Sequence, residues 1–453
     1  MRVVIVGGGI SGLSVAFLLR RAGCDVTVLE AAPEAGGTVG SVVEAGYLRE
    51  RGPNSAADTG PAVGELIDAL NLRGLRREAA PGARNRYLLR GGRLHALPTG
   101  PGTFLSTPLW SARAKLRLAR EPFVGRGAGE ETVAAFVTRR LGREFLDYAV
   151  EPFVAGVYAG DPGRLSVAAA FPRLYELEQR YGSLIRGALL GARARRRRPE
   201  RARVTAGLFS FRDGMATFPR ALAAALGGDL RTGVQVRSVH AYGGGFRVEF
   251  AGSAGTGEAY GDRLVLSVPA YEASRLLRDW LPGLAGHLAQ IEYPPVAVAA
   301  LGYRRAEVGH PLDGFGFLVP AVERRRILGT IWNSSLFPGR APEGHVLLTS
   351  FLGGARQPDT ASRPEEEILA LAHAENAAVL DIAAPPAFAR VQRWPRAIPQ
   401  YRLGHLGICA AIAEAEAAVP GFHVCANYRG GVAFGDCLAA AKRTADTILG
   451  RAA

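Results

Sequence analysis

Lysine is almost missing from this 453-residue chain. It occurs only at Lys115 and Lys442, so arginine supplies nearly all of the 55 basic side chains behind the net charge of +14. A basic field of that size draws carboxylated ligands and anionic lipid headgroups, although a codon bias toward arginine produces the same excess. No basic–aromatic module accompanies the charge, which argues against nucleic acid as a partner. Cysteine is scarce too: Cys24, Cys409, Cys425 and Cys437 show neither CxxC nor metal-ligand spacing, which predicts reduced thiols and no metal site or disulfide framework. No apolar run approaches the roughly 18 residues of a bilayer-crossing helix. The chain enters a strand pattern at once, which predicts no signal or transit segment. There is no internal repeat, no Ser-His-Asp or Cys-His set and no paired carboxylates, and the eight histidines are scattered. A protein so poor in acid–base machinery leaves hard chemistry to a cofactor.

What is present begins at residue 2, with RVVIVGGGISGLSVAFLLRRAGCDVTVLE. Val3 to Val6 is a short unbroken apolar run ending in glycines, which predicts a buried strand of a parallel sheet. Gly7, Gly9 and Gly12 stand as GxGxxG. Gly7 allows the tight turn, Gly9 lets backbone approach a pyrophosphate, and Gly12 lets the helix pack on the strand. Ile10 and Ser11 then open a helix whose free N–H groups and positive dipole end face the phosphates. DVTVLE predicts a second strand ending at Glu30, 18 residues beyond Gly12 and close to the roughly 20 expected of the acid that binds an adenosine ribose. A carboxylate there repels a ribose phosphate, so FAD or NAD fits better than NADP. Two further clusters follow, GGTVGS with Gly36, Gly37 and Ser41, and GPNS with Gly52, Pro53, Asn54 and Ser55. They bring backbone close to a large planar ligand, which favours FAD.

The length predicts about three domains, not necessarily continuous. Residues 208–226 predict a glycine turn opening a helix, 229–250 a hairpin turning at Gly243 to Gly245, and 264–270 a buried strand. The last forty residues repeat the logic of the first: apolar strand, glycine loop, helix. These pieces make an α/β cofactor domain from 1–85, 206–275 and 394–453. Residues 86–97 and 276–393 are predicted to form a mixed sheet lining a substrate cavity, and 98–205 a helical insert ending in the arginine run 191–204, expected to be a solvated loop. Within 98–125, Phe104, Leu105, Leu109 and Trp110 lie among Arg113, Lys115, Arg117 and Arg120, a pattern that suits either a membrane interface or ordinary core.

The glycine clusters resemble those of the FAD-binding amine-oxidase and protoporphyrinogen-oxidase proteins, whose cofactor domain is of the Rossmann-like, glutathione-reductase type. NRYLLRGGRLHALPTG (85–100), EPFVAGVYAGDPGRLSVAAAFPRLYELE (151–178), SFRDGM (210–215), GFGFLVP (314–320), LGTIWNSSLFPGRAP (328–342), SFLGGARQP (350–358), IPQYRLGH (398–405) and NYRGGVAFGDC (427–437) resemble the protoporphyrinogen-oxidase branch in order, over nearly the whole chain. That resemblance implies that Arg86 meets a substrate propionate, that Gly156 offers a backbone carbonyl to pyrrole N–H groups, that Leu318 and Ile331 sandwich a ring, and that Phe351 stacks on another. It implies that Val236 holds the adenine through its backbone, and that Trp394, Asn427, Gly430, Gly431 and Val432 line the flavin. Neither Cys409 nor Cys425 is placed for covalent attachment, so the FAD is expected to be noncovalent. The implied reaction is the six-electron oxidation of protoporphyrinogen IX to protoporphyrin IX in haem synthesis. With no second dinucleotide unit, the acceptor is expected to be dioxygen, giving hydrogen peroxide, or a quinone. Coproporphyrinogen III oxidation to coproporphyrin III, or another oxidation of the flavin amine-oxidase type, is the alternative, and a nonenzymatic prenyl-protein chaperone a remote one, against which the intact glycines and Glu30 argue. Glu34 and Thr38 replace basic residues common near the FAD phosphates, and Ala426 replaces a glycine before Asn427. The expected location is the cytoplasm of a bacterium, with peripheral contact at the inner membrane left open, as is a homodimer.

Overall fold

The computed structural model describes residues 1–58, 60–196, 207–253 and 255–451. Residues 191–196 of the arginine run end helix Leu184–Arg196 and so are not the expected loop, and the rest of the run lies outside the described residues.

A five-stranded parallel sheet organises the cofactor half. Its strands run in the order Leu230–Arg231, Asp25–Leu29, Arg2–Val6, Arg263–Leu266, Phe422–Val424. Val3 to Val6 are at most 2% exposed, because both faces of the sheet are covered. Val3 and Ile5 pack with helices Ile10–Arg21, Thr217–Leu226 and Phe434–Ile448. Val4 and Val6 join the core that includes Val239, Phe246 and Val248 of a three-stranded antiparallel sheet. The first hairpin of that sheet turns at Gly243 and Gly244, both at positive φ (57° and 80°), where a side chain would be strained.

The second sheet has seven strands, in the order Phe388–Trp394, Val296–Arg304, His345–Gly353, Ile327–Trp332, Gly314–Leu318, Asn85–Arg90, Arg93–Ala96. All neighbours are antiparallel except Gly314–Leu318 with Asn85–Arg90. Helix Glu365–Leu380 covers one face through Ile368, Ala372 and Leu380 against Ala297, Ala299, Leu301, Leu348 and Leu352. The other face carries Leu318, Ile331 and Phe351.

Residues 101–196 are helical apart from short connections. Arg140, fully buried, pairs there with Glu121 and Glu178, holding three segments together. Hydrogen bonding widens to a π turn over Leu146–Val150 just before helix Glu151–Tyr158. Of the apolar residues in 98–125, Leu109 and Trp110 are core, packed with Phe104 and Phe145, whereas Leu105 is 70% exposed. The stacking of Trp110 on Phe145 decides this: an aromatic pair with centroids 5.0 Å apart needs a partner that only the tertiary fold supplies. Among the described residues, no helix is long and apolar enough to cross a membrane.

Candidate cofactor and substrate site

The first glycine turn is crowded below and open above. A Cβ at Gly7 would collide with the Ser267 carbonyl, and one at Gly12 with the Gly7 carbonyl. One at Gly9 would meet nothing within 4 Å. That open side, at the start of helix Ile10–Arg21, is where a pyrophosphate fits. Glu30 stands at the end of the neighbouring strand and accepts hydrogen bonds from the Gly8 N–H at 2.6 Å and the Ala32 N–H at 2.7 Å. Its remaining lone pairs suit ribose hydroxyls. Gly36 donates to the Gly8 carbonyl at 2.8 Å, and a Cβ on Gly37 would stand 3.3 Å from the Gly9 Cα, so the second glycine cluster lies directly against the first.

A second helix begins at the same place. Helices Ile10–Arg21 and Phe434–Ile448 pack against one another, with Ser11 and Cys437 each near the start of its helix. Gly430 and Gly431 precede the second helix at positive φ (89° and 121°), and a Cβ on Gly431 would collide with Asp436. The Gly431 N–H is spent on the Tyr401 hydroxyl, so this glycine serves by its backbone path. Gly430, Val432 and Asn427 adjoin it in the same loop. Burial pushes the Cys425 thiol up to about 11 and the Cys437 thiol up to about 12, so both stay protonated and inert. All four cysteines are free.

Other predicted contacts have definite partners. The Ser41 hydroxyl is buried, donating to Glu50 and accepting from the Ala216 N–H at 2.9 Å. Asn54 is buried and accepts from the Asn333 amide at 2.5 Å, tying the Gly52, Pro53, Ser55 segment to the end of a substrate-sheet strand. Trp394 Nε1 donates to the Arg51 carbonyl at 2.7 Å, a second tie to that segment. The Val236 carbonyl accepts from Arg275 Nη2 at 2.9 Å, beside a bulge between Val236 and Ser238.

The placement of the expected substrate residues follows from sheet register. Leu318 lies opposite Gly329, and Gly329 opposite Phe351; Ile331 is two residues along from Gly329 and so points the same way. Leu88 pairs with Leu318 across the parallel junction, which puts Arg86, two residues before it, on this face as well. Leu318, Ile331 and Phe351 are all half-buried. Helix Glu151–Tyr158 lies over them: a Cβ at Gly156 would stand 2.9 Å from Leu318 Cδ2, and Ala155 and Ala159 pack with Phe351 and Trp394. Arg86 is exposed, its guanidinium 5.7 Å from the Phe315 ring centre, and pairs with no carboxylate among the described residues. Arg90, further along, is spent on Glu144 at 2.8 Å.

Sequence reasoning gave no role to the charged clamps around this face. Glu151, at the head of the covering helix, accepts from Arg356 Nη1 at 3.0 Å and from the Ala321 N–H at 2.8 Å, while Arg356 also donates to the Val319 carbonyl. Glu50 and Arg340 form a second buried pair beneath Ser41, with Arg340 Nη2 donating to the Ser210 hydroxyl at 2.6 Å. Burial raises both carboxyls, Glu50 to about 7. Among the described residues no cluster of ligands suits a metal ion.

Residues 10–449 match the family described as flavin containing amine oxidoreductase. The chain is 34% identical to the chloroplastic protoporphyrinogen oxidase of Nicotiana tabacum, over 99% of this chain and 85% of that protein. It is 30% identical to protoporphyrinogen oxidase 2 of Arabidopsis thaliana, over 99% and 94%. It is 29% identical to coproporphyrinogen III oxidase of Bacillus subtilis, over 96% and 95%. In fold it is similar to a protein from Exiguobacterium sp. 255-15, with a TM-score of 0.82 at 24% identity, covering 99% of this chain and 98% of that one. With its glycine cradle, its two converging helices and relatives of this kind along nearly its whole length, the chain belongs to the flavin-containing amine oxidoreductases, an FAD-binding family of oxidoreductases.

Proposed function

We propose that this protein oxidises protoporphyrinogen IX to protoporphyrin IX in haem synthesis. The observation that carries the reading is a single sheet face on which Leu318, Ile331 and Phe351 form an apolar floor, with Gly156 packed beside Leu318 and Arg86, without a carboxylate partner among the described residues, at one end. A porphyrinogen is a large apolar disk with two acids on one edge, and that arrangement matches it. The FAD residues are Gly7, Gly9, Ile10, Ser11, Gly12, Glu30 and the loops at 36–41, 52–55 and 427–432, with Val236 and Trp394 flanking them. We take 1–85, 206–275 and 394–453 as the FAD domain, 86–97 with 276–393 as the substrate domain, and 98–205 as the helical insert.

When bound, FAD supplies a noncovalent two-electron acceptor that dioxygen regenerates with release of hydrogen peroxide, so the six-electron conversion needs three rounds. The chain's own residues bind and orient. Gly156 lies in the last turn of its helix, where carbonyls lack intrahelical partners and the dipole end is negative. Its carbonyl accepts from pyrrole N–H groups and steadies the positive charge left on the ring as electrons depart. The apolar floor excludes water from the bridging carbon. Arg86 fixes a propionate at the mouth. The test is stoichiometry: three dioxygen consumed and three peroxide formed per porphyrin, where a two-electron end product would defeat the reading.

Coproporphyrinogen III oxidation is the second reading, favoured by the Bacillus subtilis relative. A cation with no carboxylate partner among the described residues, at one end of an otherwise apolar face, suits a disk with acids on one edge better than one with acids around its rim. Peripheral attachment to the cytoplasmic face of a membrane is also part of the proposal. Leu105, Leu116, Phe123, Leu189 and Leu190 are exposed on the helical insert, and the Arg186 guanidinium stands 6.0 Å from the Phe123 ring centre. Flotation with anionic liposomes at low salt is expected, and its absence would remove this part.

A further inference from the structure

The segment Ile398–His405, IPQYRLGH, touches both halves of the site. Tyr401 is 2% exposed. Its hydroxyl donates to the Asn427 carbonyl at 2.6 Å and accepts from the Gly431 N–H at 3.1 Å. Its ring stacks on His405, centroids 4.1 Å apart and planes 12° from parallel, and His405 Nε2 lies 2.9 Å from the Tyr428 carbonyl. The neighbouring Gln400, also buried, donates from Nε2 to the Tyr158 carbonyl at 2.9 Å and to the Ile398 carbonyl at 3.0 Å. Tyr158 is the last residue of the helix that carries Gly156.

We infer that Gln400 and Tyr401 are a pair of positioning residues that set the loop Asn427–Val432 and the helix Glu151–Tyr158 at a fixed separation, and so fix the substrate disk relative to the flavin. A loop with consecutive glycines at positive φ has many conformations open to it. Here one phenol satisfies the carbonyl at one end and the amide at the other, so a single hydroxyl selects one loop shape. The adjacent amide does the same for the helix end, where the Tyr158 carbonyl has no intrahelical partner. The two side chains are consecutive, so strain in one anchor passes to the other through a single peptide. Burial raises the Tyr401 phenol well above its ordinary range, which keeps its donor proton in place. The inference rests on Asn427–Val432 being the flavin-side loop.

The test uses Tyr401→Phe, which keeps the stack and removes only the hydroxyl, alongside Gln400→Leu and a blocking substitution in the loop, Val432→Trp. FAD dissociation constants and visible flavin spectra are measured by titrating apoprotein, and steady-state constants on the loaded enzyme. Tyr401→Phe is expected to weaken FAD binding roughly tenfold and shift the flavin bands, since two hydrogen bonds to the loop are lost. Gln400→Leu is expected to keep FAD affinity within about twofold while kcat falls several-fold. An unchanged FAD constant and spectrum in Tyr401→Phe, with FAD lost in Val432→Trp, would overturn the inference. Unchanged binding in both would overturn the loop assignment beneath it.

Discussion

Gly156 and Leu318 lie so close that a Cβ at 156 would stand 2.9 Å from Leu318 Cδ2. A glycine inside a helix costs about 1 kcal/mol relative to alanine. Its φ is not in the left-handed region, so conformational freedom does not explain it. Closeness does. Gly156→Ala should therefore leave thermal stability equal or up to about 1 kcal/mol higher while displacing Leu318 along the face proposed to bind substrate and raising KM several-fold. A stabilised variant with an unchanged KM would show that this face is not where the substrate lies.

Among the described residues Arg86 has no carboxylate partner, so its removal strands no charge there. Arg86→Ala should keep its FAD and its melting temperature and lose about tenfold in kcat/KM, the worth of a charge-assisted pair at an exposed mouth. Arg86→Lys should recover part of this, because an ammonium cannot form the bidentate fork. Steady-state kinetics on flavin-loaded protein decide it, and unaltered constants in the alanine variant would remove Arg86 from the site.

Glu50 makes a prediction about pH. Its carboxyl is pushed up from 4.5 to about 7 by burial, against the pull of Arg340, Ser41 and the Met215 N–H. A carboxyl that holds its proton more tightly folded than unfolded contributes stability that is complete below pH 4.5 and lost as pH rises through about 7. The span corresponds to at most roughly 3 kcal/mol. Melting temperature should fall across that window, and Glu50→Gln should flatten the fall. A variant with the wild-type pH slope would place the titration elsewhere.

The glycine turn, its flanking strands and Glu30 were legible because the spacing that marks them lies within thirty residues of sequence, although Gly7 is also hemmed in by the distant Ser267 carbonyl. The substrate face was not legible from pattern. Leu318, Ile331 and Phe351 sit on three strands, and only register brings them to one face, so resemblance alone pointed to them. Leu109 and Trp110 show the opposite failure: an apolar–basic pattern reads the same on a membrane surface and in a core until Phe145 is placed beside it. Tyr401 and Gln400 were visible as a motif without a role, since the Tyr158 carbonyl that Gln400 meets lies 242 residues away.

The most direct test of the whole account is anaerobic reduction of the bound flavin, followed by loss of its visible absorption. Protoporphyrinogen IX should bleach it rapidly, and coproporphyrinogen III should do so much more slowly at equal concentration. Equal rates, or faster bleaching by coproporphyrinogen III, would assign the site to the other substrate, and no bleaching by either would contradict porphyrinogen oxidation itself.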